Sequence, residues 1–511
     1  MKKLLPYSVL VLVAVLLVVF ESNYLYRVQE EGLFLHTPLF FRQSMVASGG
    51  LLTWAGAYLT QSLFHPAIGV SLLCLLWAFL MWELQRAFHI PHRWMWLTLL
   101  PIACLLLTVV DLGYWVYYLK LPGYLFDATL GTIIAVALAW TYRSVTERFG
   151  LRLLFVVVST CISYPLFGFY GLWGTLMMVL MAWGIVSRYR LATTLLAVAV
   201  VLLVPLACYQ WIYHETHIVN IYWTALPVFV HQGVRCFAYN LPYIFLVVTT
   251  TALVCFCKKG FREKVSLTSA TRWLQPALLA VAALCVAGGW FTDDNFHREL
   301  SMSRQMEKHD WQAMLRTFSG AKGEPTRAMC MMRNLALQRQ GRLSSDARRY
   351  REGFARPRAP FVIHTIHTIG KPLYLEYGLP NYCYRWCIED GVEYGWSVEK
   401  LKLMVRCSLL NGEMEAAQRY LSMLRKTDTQ KDFVSHYDQY LRQPSLVMSS
   451  DDFRPILPLL RSDNFLTSDM SQQKIFLIEH FASSEGATPE QRELANFYFP
   501  YYFNRPRYVE K

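Results

Sequence analysis

Residues 66–85 read PAIGVSLLCLLWAFLMWELQ, twenty positions with a single ionisable side chain, Glu83. A helix of that length rises about 30 Å, the depth of a bilayer's hydrocarbon core. It lacks the polar face that a helix packed on a soluble core would show. Working outward, eight more apolar runs lie at about 4–20, 94–118, 123–142, 151–169, 170–187, 191–210, 240–257 and 273–291. No comparable run follows. The fold class expected is all-α: a polytopic membrane helix bundle of about nine spans, residues 1–291, then a soluble helical-repeat domain, residues 292–511. Phe20-Glu21-Ser22 lacks the small-x-small pattern of a cleaved signal, so the first run is expected to remain as an anchor.

Charge orients the spans. Fourteen basic residues, among them Lys2, Arg86, Arg143, Arg190 and Lys258, fall in loops on one side of the bundle. Four, Arg27, Arg42, Lys120 and Arg235, fall on the other. Such a bias predicts a cytoplasmic N-terminus and places residues 292–511 outside. Most of the net charge of +13 is this topology signal, and no basic, aromatic nucleic-acid module accompanies it. Tyr114, Trp115, Tyr117 and Tyr118 read as an aromatic belt at one boundary. The twelve cysteines form no disulfide framework or zinc spacing, and Cys383 and Cys387 read as small buried hydrophobes.

Nine carboxylates precede residue 292, and six of them, Glu21, Glu30, Glu31, Asp111, Asp127 and Glu215, fall on the outer side. Ionisable groups at a bilayer are costly and mark function. Glu21, Glu30, Glu31 and Asp111 are therefore the catalytic candidates. Arg27, Arg42 and Arg235 could bind a phosphate, and Asp127 and Glu215 a sugar or the same phosphate's counter-ion. The competing reading for Asp111 and Asp127 is structural pairing with a cation or donor. Outer loop 21–65 reads as two or three short amphipathic helices lying on the leaflet, broken at Pro38 and Gly49-Gly50. Outer loop 211–239 holds His214 and His217, three apart, which could share one helical face and ligate a divalent cation, although the spacing is not that of a zinc protease.

Beyond Asp293 the pattern becomes helical with ordinary surface polarity. Leu335 to Leu343 and Leu409 to Ala417 each read as a helix, a glycine turn and a new helix, which resembles tetratricopeptide repeats. Thr488-Pro489-Glu490-Gln491 reads as a helix start. Residues 356–380, with four prolines and with His364, His367 and Glu376, read as an irregular connection.

The phrases Tyr24-Leu25-Tyr26-Arg27-Val28-Gln29-Glu30-Glu31, Gly49-Gly50-Leu51-Leu52 with Leu59-Thr60-Gln61, and Asn411-Gly412-Glu413 resemble those of an uncharacterised family of Bacteroidota membrane proteins. In plan the chain also resembles the C-type-fold membrane glycosyltransferases, in which surface helices follow the first span and a soluble repeat domain follows the last. That resemblance implies an inner-membrane enzyme taking sugar from a polyprenyl-phosphate carrier at the periplasmic face. Glu21, or Glu30 with Glu31, would then take the place of the outer carboxylate, as a base for the acceptor hydroxyl. An arginine would stabilise the departing lipid phosphate. The chain departs from the plan in having no Asp-x-Asp after its first span. The alternative is a non-catalytic envelope scaffold that holds partner proteins on its helical repeats.

Overall fold

The structure is a computed structural model that describes residues 5–460, apart from 146–147, 185–189, 215, 232, 259–270 and 354. Glu215, most of the basic loop before the last span, and the helix start at Thr488 to Gln491 lie outside the described residues. The all-α expectation holds. Among the described residues the one named strand pairing is a ribbon of Val230–His231 with Val234–Arg235.

Each of the nine apolar runs falls on helical structure. Six helices are long and apolar enough to cross a membrane alone: Pro66–Phe88, His92–Val110, Tyr124–Ser144, Gly150–Phe167, Arg190–Trp211 and Phe237–Cys257. Leu5–Phe20 and Trp273–Gly289 reach that length only when counted with the helix that follows. The ninth, Phe169–Trp183, is a shorter apolar helix. At 1.5 Å per residue it rises about 22 Å, less than a hydrocarbon core. Six to eight spans are therefore supported, against about nine expected.

The chain divides into two compact units. Unit 1 takes Met1–Ser22, His36–Leu112 and Leu119–Phe291, and unit 2 takes Asn23–Leu35, Gly113–Tyr118 and Thr292–Lys511. The boundary near residue 291 expected from composition is one of five points at which the chain passes between them.

Unit 1 contains α1 (Leu5–Phe20), α3 (Pro38–Ser44), α4 (Gly50–Thr60), α5 (Pro66–Phe88), α6 (Leu99–Val110), α7 (Tyr124–Ser144), α8 (Phe149–Phe167), α9 (Phe169–Gly184), α10 (Arg190–Trp211), α11 (Leu241–Leu253) and α12 (Thr271–Gly289). Helix α7 is the hub and packs on α4, α5, α6, α8 and α9. Small residues make those approaches close, as they do where helices lack a hydrophobic drive to associate. A Cβ added at Gly131 would lie 2.3 Å from the Tyr170 ring, and one at Gly56 would lie 1.8 Å from Asp127 Oδ1. Gly123, at φ +74°, meets the Gly56 backbone 2.4 Å from where its own Cβ would stand. Indole and hydroxyl donors pair between helices, with Trp77 Nε1 donating to Thr129 Oγ1 and Trp173 Nε1 to Thr251 Oγ1, both at 3.0 Å. Large apolar side chains such as Leu195 and Leu284 face outward, each 72% exposed, as lipid contact requires and water would penalise.

Unit 2 is helical. Its elements are α2 (Ser22–Glu30), α13 (Asp294–Glu307), α14 (Trp311–Ser319), α15 (Arg327–Arg339), α16 (Leu343–Asp346), α17 (Gly370–Glu376), α18 (Pro380–Tyr394), α19 (Val398–Leu410), α20 (Met414–Leu424) and α21 (Lys431–Arg442). Gly412, at φ +75°, ends α19 in the left-handed conformation that glycine adopts freely, and the Glu413 amide bonds back to the Ser408 carbonyl at 2.8 Å. Leu401, Val405 and Leu409 then form one stripe against Ala417, Leu421 and Leu424. The parallel phrase at 335–343 gives one full helix and, after Gly341, a single turn.

Two expectations need correction. Residues 370–376 of the irregular connection are helical, because Pro372 falls in the first turn of α17, where no amide donor is needed. The third apolar run ends at Val110 rather than at 118. Residues 113–118 belong to unit 2, so Tyr114, Trp115, Tyr117 and Tyr118 form no aromatic belt. All four are buried: the Tyr114 ring lies 4.8 Å from Phe296, and the Trp115 ring 4.7 Å from Phe361. Asp111 and then Gly113, at φ +50°, break the helix before them.

Candidate functional site

The charged residues that follow the first span are brought together, but inside unit 2. Residues 22–30 form α2 with Tyr24, Leu25 and Val28 on a buried face, and the same helix buries Arg27 and Glu30. The Arg27 guanidinium pairs with Glu399, donates to Ser303 Oγ at 2.8 Å, and lies 3.6 Å from Glu31. Lys400 Nζ reaches Glu31 at 3.2 Å. Lys402 Nζ reaches Glu30 at 3.2 Å and pairs also with Glu307. The backbone joins in, the Val398 amide donating to the Gly32 carbonyl at 3.1 Å. Sequence spacing gave no sign of these partners, since a charge at 400 and one at 31 meet only through tertiary packing.

Electrostatics follow from the count of charges. Arg27, Lys400 and Lys402 pair with the four carboxylates, and Lys371 adds its field at Glu31 and Glu399. Burial raises the pKa of Glu30 and of Glu31 against the pull of Lys402 and Lys400. Burial also opposes the charge on Glu399, yet Arg27 and Lys371 hold it below the usual carboxylate range. The side chains of Arg27, Glu30, Glu31 and Glu399 are about nine-tenths buried or more within these pairs, whereas that of Glu307 is 41% exposed.

Glu299, unmarked by any sequence signal, is a second buried carboxylate of unit 2. Burial pushes it up to about 7, against donors from Thr326 and from the Tyr114 hydroxyl at 2.9 Å. Its folded pKa lies above its ordinary value of 4.5, so the folded state binds the extra proton between those limits. Its contribution is present at low pH and is lost as pH rises through 7. Thermal melts at pH 5, 6, 7 and 8 should show stability falling with pH, and Glu299→Gln should flatten that slope.

The remaining candidates are scattered. In unit 1, Glu21 is buried at the end of α1 and accepts from Trp290 Nε1 at 2.7 Å. Asp111 is half-buried at the end of α6. Asp127 is 1% exposed, and both of its carboxylate oxygens lack a hydrogen-bond partner. Arg42 on α3 and Arg235 on the ribbon are exposed, as are His214 and His217. His217 Nδ1 accepts from the Val219 amide at 3.3 Å and so starts a short 3₁₀ turn. Among the described residues no three His, Cys, Asp or Glu side chains gather as a metal ion would require.

Each unit also has an open concavity. In unit 1 a cavity of about 330 Å³ is lined by Gln43, Ser44, Ser48, Thr53 and Thr224 with Phe40, Leu121 and Pro122, hydroxyls and one amide against apolar walls. In unit 2 a groove of about 580 Å³ runs along the start of α20, between Tyr384, Glu413, Glu415, Arg419, Tyr420 and Met423. The Tyr384 and Tyr420 hydroxyls meet at 2.5 Å across its floor. Nearby in unit 2, His367 Nδ1 lies 2.7 Å from Asp390, whose other oxygen takes Lys371 Nζ at 2.6 Å. Asp390 is thus shared between the His367 imidazole and the Lys371 ammonium.

No curated protein and no solved structure matches the chain. A family model described as "Family of unknown function (DUF6057)" matches residues 1–486. That match covers nearly the whole length, both units included, and the chain belongs to this family.

Proposed function

We propose that the protein is a membrane-anchored envelope protein whose helical unit 2 holds a partner protein. The observation that carries this reading is the use of Arg27, Glu30 and Glu31 in ion pairs within unit 2. Two of the four catalytic candidates, Glu30 and Glu31, thus have lysine partners inside unit 2, which favours a structural role for them. The open feature of unit 2 is the groove along α20, where Tyr384, Tyr420 and Met423 offer apolar contact and Glu415 and Arg419 offer charge. That mixture suits a peptide segment of a partner. In this reading the cytoplasmic N-terminus and outward unit 2 follow from the loop charges. A photo-crosslinking side chain placed at Met423 in living cells should give one discrete adduct, and Arg419→Glu should abolish it at normal protein abundance. A ladder of weak adducts insensitive to Arg419→Glu would sink the reading.

A polyprenyl-phosphate-sugar-dependent glycosyltransferase is the second reading, favoured by the unit 1 cavity. Its hydroxyl and amide lining follows directly after the first span and could take a sugar, with Arg42 on the same α3 for a lipid phosphate. Half-buried Asp111 would serve as base. Thr53→Val and Asp111→Asn should then abolish transfer from such donors at normal abundance. An unchanged glycan profile in a deletion strain would exclude this enzyme.

A further inference from the structure

Within unit 1 three buried polar groups come together without satisfying one another. Asp127 stands in the first turn of α7, one helical turn before Gly131. The Tyr170 ring of α9 packs against Gly131, and its hydroxyl is within electrostatic reach of Asp127. The Tyr243 hydroxyl of α11 is in reach of both Asp127 and Asp111. Asp127 and Tyr170 are 1% exposed and Tyr243 7%. Neither carboxylate oxygen and neither hydroxyl has a hydrogen-bond partner. All four oxygens are thus held in the interior of unit 1 without a hydrogen bond.

An isolated carboxylate in such surroundings costs several kcal/mol, on the order of the stability of a whole domain, unless something neutralises it. Among the described residues no ion pair to Asp127 is formed, and neither of its oxygens has a donor. Helices α4 and α9 bring no charged side chain to Asp127. Asp111, after α6, is another acid. On α5, Trp77 lies opposite Thr129 and the Ala87 carbonyl opposite Arg143, so Glu83 and Arg86 lie toward the far end of α7. Arg152 of α8 sits over Tyr142, at that same far end. Glycine at position 56 is what admits Oδ1 there at all.

We propose that Asp127, Tyr170 and Tyr243 form a binding site for one small univalent cation, Na⁺ or H⁺, inside the membrane unit. The carboxylate supplies the charge and the phenol oxygens supply neutral ligands or hydrogen bonds. Oxygen donors of this kind suit a hard cation. This goes beyond the partner-binding reading and stands or falls independently of it.

The test uses the full-length protein in nanodiscs, melted in NaCl and in choline chloride at equal ionic strength, from pH 5.5 to 8.5. A ligand that binds the folded state raises Tm with the logarithm of its concentration. Wild type should gain Tm with rising Na⁺ at constant pH, which assigns Na⁺; if instead a gain with falling pH in choline persists in a Glu299→Gln background, where that carboxyl's own pH response is gone, it assigns H⁺. Asp127→Asn should abolish the Na⁺ response, or the pH response of the Glu299→Gln background. Tyr170→Phe keeps the ring and removes the hydroxyl, so it should shift the response to higher cation concentration even if the Asp127 variant fails to fold. A wild-type Tm indifferent to both cations, or a response unchanged in Tyr170→Phe and Asp127→Asn, would overturn the site.

Discussion

Residues 292–511 expressed alone should not reach a native fold. In the full chain this segment is completed by residues 23–35 and 113–118, which bury Tyr24, Leu25, Val28, Phe34, Tyr114 and Trp115. At roughly 2 kcal/mol for each large apolar side chain, their loss is on the order of 10 kcal/mol. That matches or exceeds the whole stability of a typical domain, about 5–15 kcal/mol. Removing the segments also takes Arg27 from Glu399, Glu31 from Lys400, Glu30 from Lys402 and the Tyr114 hydroxyl from Glu299. The fragment should keep helical far-ultraviolet dichroism, lose its near-ultraviolet signal and melt without cooperativity. Joining residues 23–35 and 113–118 to it through flexible linkers should restore a cooperative transition. A cooperative melt of the bare fragment would mean that the two segments merely decorate a complete domain.

The second large effect is expected at Arg27. Breaking a buried ion pair by removing one partner leaves an uncompensated charge and typically costs about 3–5 kcal/mol. Arg27→Met strands Glu399, and Glu399→Gln strands Arg27, so each alone should cost that much in chemical denaturation. The double variant should cost clearly less than their sum, because contacting residues couple by about 0.5–3 kcal/mol. Single-variant losses below about 1 kcal/mol would be those of a solvent-exposed pair.

Much of the architecture is legible in the chain because hydrophobicity is a local signal. Runs such as 66–85 and 191–210 declare themselves without reference to any other residue, and the glycine turn at 412 is equally local. Where a run met other chemistry, the reading failed. Tyr114 to Tyr118 continue the apolar character of the third run, and only Asp111 and Gly113 hint that the helix has ended. Pro372 looked like a breaker but sits where a helix tolerates it. The candidate site was less legible. Arg27, Glu30 and Glu31 were singled out for being charged next to a span, which is correct as an anomaly. Their partners lie 369 to 372 positions away, beyond any spacing rule. Asp127 was visible as a carboxylate at the start of a span. That its oxygens are buried without a partner depends on helix packing, and Gly56 and Gly131 record that packing only as small residues.

The segment after the first span is interior to the helical unit and is not a helix lying on a leaflet. Amide hydrogen exchange on the full-length protein in nanodiscs tests it directly, since exchange reports the free energy of local opening. Amides of Leu25 to Glu30 should exchange as slowly as those of Leu403 to Cys407 in α19, and Arg27→Met should speed both sets together. Exchange at Leu25 to Glu30 within seconds, while α19 stays protected, would contradict the account.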